Sequence, residues 1–137
     1  MSAELRAPRE KDIPEIVRLT SLHAPEPGDE DNVRRLWASP RFDVAQDARL
    51  DGDSYACIEE FGEGRVWIDV YGDPSQAILD WAEERASAVG RRLLSGSWSS
   101  NEPLLRELEA RGYVLVRHSH RMTIDLGPAT LAPSWPA

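Results

Sequence analysis

The most informative part of the sequence is Arg65-Val66-Trp67-Ile68-Asp69-Val70-Tyr71-Gly72-Asp73-Pro74-Ser75-Gln76. Its pattern predicts a strand that runs almost directly into a helix. Side chains alternate along the strand, so one side carries Val66, Ile68 and Val70 and the other carries Trp67, Asp69 and Tyr71. From Ser75 to Val89 the apolar residues recur with helical spacing, and Gly90 stands at the C-terminal cap position. A strand followed at once by a long amphipathic helix predicts an α/β fold.

The residues before this stretch extend the pattern. Ser54 to Phe61 also has strand character, and Gly62-Glu63-Gly64 connects it to the strand that starts at Arg65. Glycines permit a tight turn there, so the two strands are predicted to form an antiparallel hairpin. Further upstream, the sequence predicts a short strand at Leu5-Arg6-Ala7, a helix that starts near Asp12, and a second helix at about Asp31 to Trp37.

The residues after the long helix predict four more elements and a tail. Arg91 to Ser95 is predicted as a strand, Asn101 to Arg111 as a helix, and Tyr113 to Arg117 and Met122 to Leu126 as strands. After Gly127 the chain contains three prolines and no periodicity. The sequence therefore predicts one domain over residues 1–127 and a proline-rich linker or tail over residues 128–137.

Composition restricts the classes of function. The formal net charge is −8, and eleven acidic residues against four arginines lie between Glu26 and Glu63. Such a field repels nucleic acid and anionic membranes, so neither is expected as a partner. No apolar run approaches the roughly 20 residues of a membrane span. A single cysteine, Cys57, and the absence of a leader-like segment before Leu5 make the cytoplasm the expected location.

Three stretches resemble the GNAT superfamily of N-acetyltransferases over residues 4 to 126. Leu5 to Asp12 is similar to the opening strand and helix start of that family, and Ile78 to Ala86 with Gly90 is similar to its long helix. Asn101-Glu102-Pro103-Leu104 through Gly112-Tyr113 resembles its late helix. The resemblance implies a GNAT fold, with a mixed and mostly antiparallel sheet of six or seven strands and about four helices.

The resemblance also implies where a cofactor would bind. In the family, acetyl-CoA lies between two diverging parallel strands, and a glycine-rich loop before the long helix holds its pyrophosphate through backbone amides. Here that loop would need about six more residues, Pro74 offers no amide hydrogen, and Asp73 places a negative charge beside the phosphates. The alternative is a simple helix cap, with Asp73 as N-cap, Pro74 at the first helical position and Gln76 three residues after the cap. The positions that match the cofactor contacts of the family are Val70, Gly72, Ser75, Gln76 and Asn101.

Few residues could carry chemistry. The family often uses a carboxylate on the strand before the loop as general base, and Asp69 matches that position, with a solvated surface aspartate as the alternative. Where the family places a proton-donating tyrosine, this chain has Leu108, which cannot donate a proton. Asn101 is read either as a contact to CoA or as the N-cap of its helix. Glu59 and Glu60 are weaker candidates for the base.

No metal site is expected. His118 and His120 lie on one side of an extended segment, but two ligands do not complete a zinc site, and His23 is far away in the sequence. Cys57 lies in a strand-like run and is interpreted as a small core residue.

Two functional hypotheses follow. In the first, the chain is a degenerate, non-catalytic half of a tandem acetyltransferase similar to those of the mycothiol-synthase type. Its partner is then a second GNAT domain in the same or another chain, or a second copy in a homodimer. In the second, the chain is an active acetyl-CoA-dependent N-acetyltransferase of a small-molecule or protein amine, with Asp69 as base. The shortened loop and Leu108 favour the first.

Overall fold

A computed structural model describes residues 5–24 and 27–115 of the chain. A 3-10 turn at Glu10–Asp12 leads into five helices and four strands. The helices are α1 (Ile13–Ser21), α2 (Glu30–Trp37), α3 (Val44–Asp47), α4 (Gln76–Val89) and α5 (Glu102–Ala110); the strands are β1 (Ala48–Asp51), β2 (Ser54–Gly62), β3 (Arg65–Gly72) and β4 (Arg92–Ser95). None of the described helices has the length and apolar character needed to cross a membrane.

The four strands form one mixed sheet in the order β1-β2-β3-β4. β1 pairs antiparallel with β2, and β2 pairs antiparallel with β3, which confirms the predicted hairpin. β4 lies parallel to β3, after the crossover through α4. The mixed sheet confirms the α/β class.

The core lies on both sides of the sheet. On one side, Val66, Ile68 and Val70 of β3 pack with α4 and with Leu104 and Leu108 of α5. On the other side, α1 contributes Ile13, Ile16 and Leu19, which pack with Tyr55 and Cys57 of β2. The alternation that the sequence indicates in β3 therefore separates two different environments.

The sheet differs from the prediction in strand number, since the described residues form four strands rather than six or seven. The predicted first strand is reduced to one bridge, in which Arg6 and Leu50 exchange backbone hydrogen bonds of 2.9 and 2.8 Å. Residues 116–126, which hold most of the last two predicted strands, and the tail at 128–137 lie outside the described residues. Conversely, the structure contains two short elements, α3 and β1, that were not predicted from the sequence.

Candidate functional site

The strand-to-helix junction is shorter than the sequence indicated. β3 runs on to Gly72, so only Asp73, Pro74 and Ser75 separate it from α4. The predicted cap was wrong, because Ser75 rather than Asp73 is the N-cap: its backbone is extended and its Oγ accepts a hydrogen bond of 3.1 Å from the amide of Ile78. Gln76 is therefore the first helical residue rather than the third.

Backbone contacts close this junction from the side of the β1–β2 turn. The amide of Asp73 donates a hydrogen bond of 2.9 Å to the carbonyl of Asp53. Gly72 has a φ of +83°, and a Cβ built on it would lie 2.1 Å from the same carbonyl oxygen and 2.9 Å from Cδ2 of Leu19. Only glycine fits this conformation and this spacing. The amide of residue 73 is consequently directed into the protein.

Side chains at the start of α4 are also engaged within the protein. The hydroxyl of Ser75 donates to the carboxylate of Asp51 while it accepts from Ile78. Gln76 bridges to α5, since its Nε2 donates to Glu107 at 2.7 Å and its Oε1 accepts from Arg111 at 2.7 Å. Two of the residues matched to cofactor contacts thus serve to cap α4 and to join it to α5.

The remaining two matched positions have packing or capping roles as well. Val70 is 5% exposed and belongs to the core between the sheet and α4. Asn101 is buried, and its Oδ1 accepts a hydrogen bond of 3.4 Å from the amide of Leu104, as an N-cap does. Leu108 is 8% exposed in the same core, where its side chain packs rather than donates a proton.

The pairing of β3 with β4 covers only the first half of β3. The two strands pair from Arg65 with Arg92 to Ile68 with Ser95, and the Ser95 hydroxyl donates to the carbonyl of Ile68 at 2.9 Å. Beyond this point β4 ends, whereas β3 continues to Gly72 without a β4 partner among the described residues. The second half of β3, which carries Asp69, therefore leads into the short junction without β4 beside it.

Asp69 lies on the side of β3 that faces away from α4. Its Oδ1 accepts a hydrogen bond of 2.7 Å from Nε1 of Trp67, two residues earlier on the same side. Burial raises the pKa of Asp69 to about 6; the Trp67 hydrogen bond opposes this rise and the charge of Glu59 adds to it. A carboxylate with this pKa is still mainly ionised at pH 7 and could accept a proton from an ammonium group.

Glu59 and Cys57 lie beside Asp69. The thiol and the two carboxylates offer atoms that are all within 4.8 Å of one another, which is compatible with a metal ion by distance. Burial raises the pKa of Cys57 well above its usual range and raises that of Glu59. Because a protonated thiol is a poor metal ligand, the chemistry of the set does not favour a metal. Glu60, which is exposed, points to the other side of β2, and His118 and His120 lie outside the described residues.

Sequence reasoning missed the aromatic neighbours of Asp69. Trp67 stacks on Phe61 with ring centroids 5.9 Å apart, and Tyr55 stacks on Tyr71 at 6.1 Å. The Tyr55 hydroxyl accepts a hydrogen bond of 3.2 Å from Nε1 of Trp37. Alternation in β2 and β3 places these rings on one side, and this signal could have been found once the hairpin register was known.

Among known proteins, only solved structures match this chain. No family model and no curated protein matches the chain. Among solved structures, a GCN5-related N-acetyltransferase from Sphaerobacter thermophilus aligns with a TM-score of 0.66 and 21% identity, over 80% of this chain and 42% of that one. Protein TTHA1254 from Thermus thermophilus aligns with a TM-score of 0.56 and 15% identity, over 88% of this chain and 95% of that one.

An aminoglycoside N-acetyltransferase, AAC(6')-Iy, in complex with CoA aligns with a TM-score of 0.53 and 11% identity, over 91% of this chain and 94% of that one. The chain spans less than half the length of the Sphaerobacter protein and nearly the full length of the other two. At these identities the comparison establishes architecture and leaves activity open. The chain therefore has the GNAT fold.

Proposed function

We propose that this chain is a non-catalytic GNAT domain that works beside a catalytic GNAT domain. One observation carries the proposal, which concerns three positions at the β3–α4 junction that offer a phosphate no free donor. The amide of Asp73 is bonded to Asp53, Pro74 has no amide hydrogen, and the hydroxyl of Ser75 is bonded to Asp51. A pyrophosphate needs several free amides at a helix N-terminus, and it is repelled by the carboxylate of Asp73.

Two further observations support a partner domain. The chain aligns with 42% of the Sphaerobacter acetyltransferase, so in that protein a region of this fold lies beside further chain. Leu108 occupies the position of the family's acid and packs in the core, so it cannot supply a proton. In this proposal residues 128–137 connect the domain to its partner, and the domain contributes packing surface or part of the acceptor site.

The second candidate is an active acetyl-CoA-dependent N-acetyltransferase, which the environment of Asp69 favours. Its pKa of about 6 and its hydrogen bond to Trp67 suit a general base, and the pairing of β3 with β4 ends at the residue before it. In that case CoA would bind through Val70, Gly72, Ser75, Gln76 and Asn101 at a junction that first has to open.

Calorimetric titration with acetyl-CoA separates the two candidates. We expect no saturable heat up to millimolar ligand for the wild type or for Asp73→Gly, because glycine removes the carboxylate while the amide stays bonded to Asp53. Glu63→Gln, an exposed acid in the β2–β3 turn, is the control for the change in net charge. A titration of CoA into the same samples checks whether the acetyl group matters.

Either of two results would refute the proposal. Micromolar binding by the wild type means that the junction opens and the domain holds the cofactor, after which release of free CoA with a panel of amines would test for transfer. Binding by Asp73→Gly but not by Glu63→Gln means that one charge alone excluded the cofactor from an otherwise competent site.

A further inference from the structure

Part of one sheet face is outside both core clusters. Glu59 and Phe61 of β2, Trp67 and Asp69 of β3 and Leu94 of β4 lie on the side away from α4, and we name these five residues the aromatic-acidic face. α1 covers this side further along, where Tyr55, Cys57 and Tyr71 pack. Phe61 is 51% exposed, and the other four members keep part of their surface open.

The two carboxylates of this face lack a compensating charge among the described residues. Glu59 and Asp69 have oxygens within 4.8 Å of each other, and no described arginine or lysine forms an ion pair with either. The indole of Trp67 donates one hydrogen bond to Asp69 and carries no charge. Two like charges at this distance in a partly buried setting repel each other, and a cation supplied from outside would balance both.

The aromatic residues of the face are held in position. Trp67 is fixed by its hydrogen bond to Asp69, by its stack on Phe61, whose ring is inclined by 19°, and by Gly96, where a Cβ would lie 2.9 Å from the indole. An ordered indole beside two carboxylates matches a guanidinium group, which stacks on aromatic rings and bonds carboxylates through parallel N–H donors. An ammonium group can pair with the carboxylates through its charge, but it has no planar surface to stack on the indole.

The shape of the face favours a protein over a small molecule. Two hollows within the described residues, of about 730 and 120 Å³, are lined by other residues. Small ligands bind mostly in concave pockets, whereas exposed aromatic surface with an adjacent charge is common at the centre of protein interfaces. Trp98, which is 40% exposed and two residues after Gly96, adds aromatic surface nearby in the chain.

We propose that the aromatic-acidic face docks a partner protein domain through an arginine side chain that stacks on Trp67 and pairs with Glu59 and Asp69. This inference rests on the proposed function, in which the partner is the catalytic GNAT domain. The net charge of −8 disfavours a second copy of this chain as the occupant.

The probe is the peptide acetyl-Gly-Leu-Arg-Leu-Gly-amide, titrated into the full chain while the indole N–H resonance of Trp67 is followed by NMR. The matched probe replaces arginine with citrulline, which keeps the planar shape and one pair of adjacent N–H donors but removes the charge and exchanges the other NH2 group for a carbonyl oxygen. We expect the arginine peptide to shift this resonance and to bind roughly tenfold more tightly than the citrulline peptide, as a charge-assisted pair predicts. Glu59→Gln and Asp69→Asn should each weaken it several-fold, whereas Glu60→Gln, on the opposite side of β2, should have no effect.

Three results would overturn the inference. Equal binding of both peptides would show that the charge of the arginine side chain does not contribute to binding. Agmatine that binds as tightly as the peptide would assign the face to small cationic molecules. A dimer in sedimentation velocity that Phe61→Ser dissociates would assign it to a second copy. Acetyl-CoA binding, in contrast, would refute the proposed function without changing the peptide result, so the two failures are distinguishable.

Discussion

Gly72→Ala tests directly whether the β3–α4 junction is closed. The substitution has two costs. The first is conformational, because alanine at a φ of +83° is strained by about 1–2 kcal/mol. Its Cβ would also lie 2.1 Å from the carbonyl oxygen of Asp53, which accepts the hydrogen bond from Asp73. Relief of that overlap has to move backbone, which costs a further ~1–3 kcal/mol, so we expect a loss of about 3 kcal/mol in the free energy of unfolding.

Gly62→Ala is the matched control. Gly62 has a φ of +84°, and a Cβ there would meet nothing within 4 Å. Gly62→Ala should therefore lose only the conformational part, about 1–2 kcal/mol. Urea unfolding followed by tryptophan fluorescence gives both values, provided that the dependence on denaturant is the same in the three proteins.

The difference in unfolding free energy between the two variants shows whether the β3–α4 junction can open. If Gly72→Ala costs no more than Gly62→Ala, the Asp53 carbonyl can move away from residue 72 without loss. The junction would then be able to open, and the amide of Asp73 would be available to a pyrophosphate, contrary to our proposal. A larger cost at Gly72 shows that the contact with Asp53 is part of the stable fold.

Two further predictions concern Asp69 and Leu108. Because burial raises the pKa of Asp69 to about 6, the folded state holds its proton more tightly than the unfolded chain, so stability falls as pH rises from about 4 to about 6. Asp69→Asn should remove about 2 kcal/mol of this fall between pH 4.5 and pH 7.5, measured by urea unfolding; a wild type and variant that differ equally at both pH values would contradict the shift. Leu108→Ala should cost about 2–4 kcal/mol and the half-buried Leu105→Ala clearly less, whereas equal losses would argue against a core role for Leu108.

Much of the fold could be predicted because its main elements are decided by local patterns. The alternation in β3, the Gly62-Glu63-Gly64 turn and the helical spacing of α4 place each element within a few residues of its bounds. The short elements α3 and β1 were missed because four residues contain too little periodicity to be recognised. β1 is set by its pairing with β2, which is a contact that the local pattern does not encode.

The candidate site was harder to predict because contacts across the chain determine it. Asp73 and Ser75 are both good N-cap residues, and the local sequence favours neither. The choice is made by Asp53 and Asp51, which bond the amide of residue 73 and the hydroxyl of residue 75 from a distant part of the sequence. The sequence did identify the absence of a glycine-rich loop, since that depends only on length and composition.

The C-terminal end of β3 and its middle differ in how their polar groups are bonded, and this difference bears on how the domain could act. At the C-terminal end, Gly72 lies against the Asp53 carbonyl, and the amide of Asp73 and the hydroxyl of Ser75 are bonded within the protein, so these two donors are not free for a phosphate. Near the middle of β3, Asp69 keeps a raised pKa because it is buried and because Glu59 lies beside it without a described cation to balance the pair. A buried charge that is left uncompensated costs stability, and an external cation would offset that cost on binding. These two observations support our proposal of a domain that binds through its sheet face rather than one that catalyses through its helix terminus.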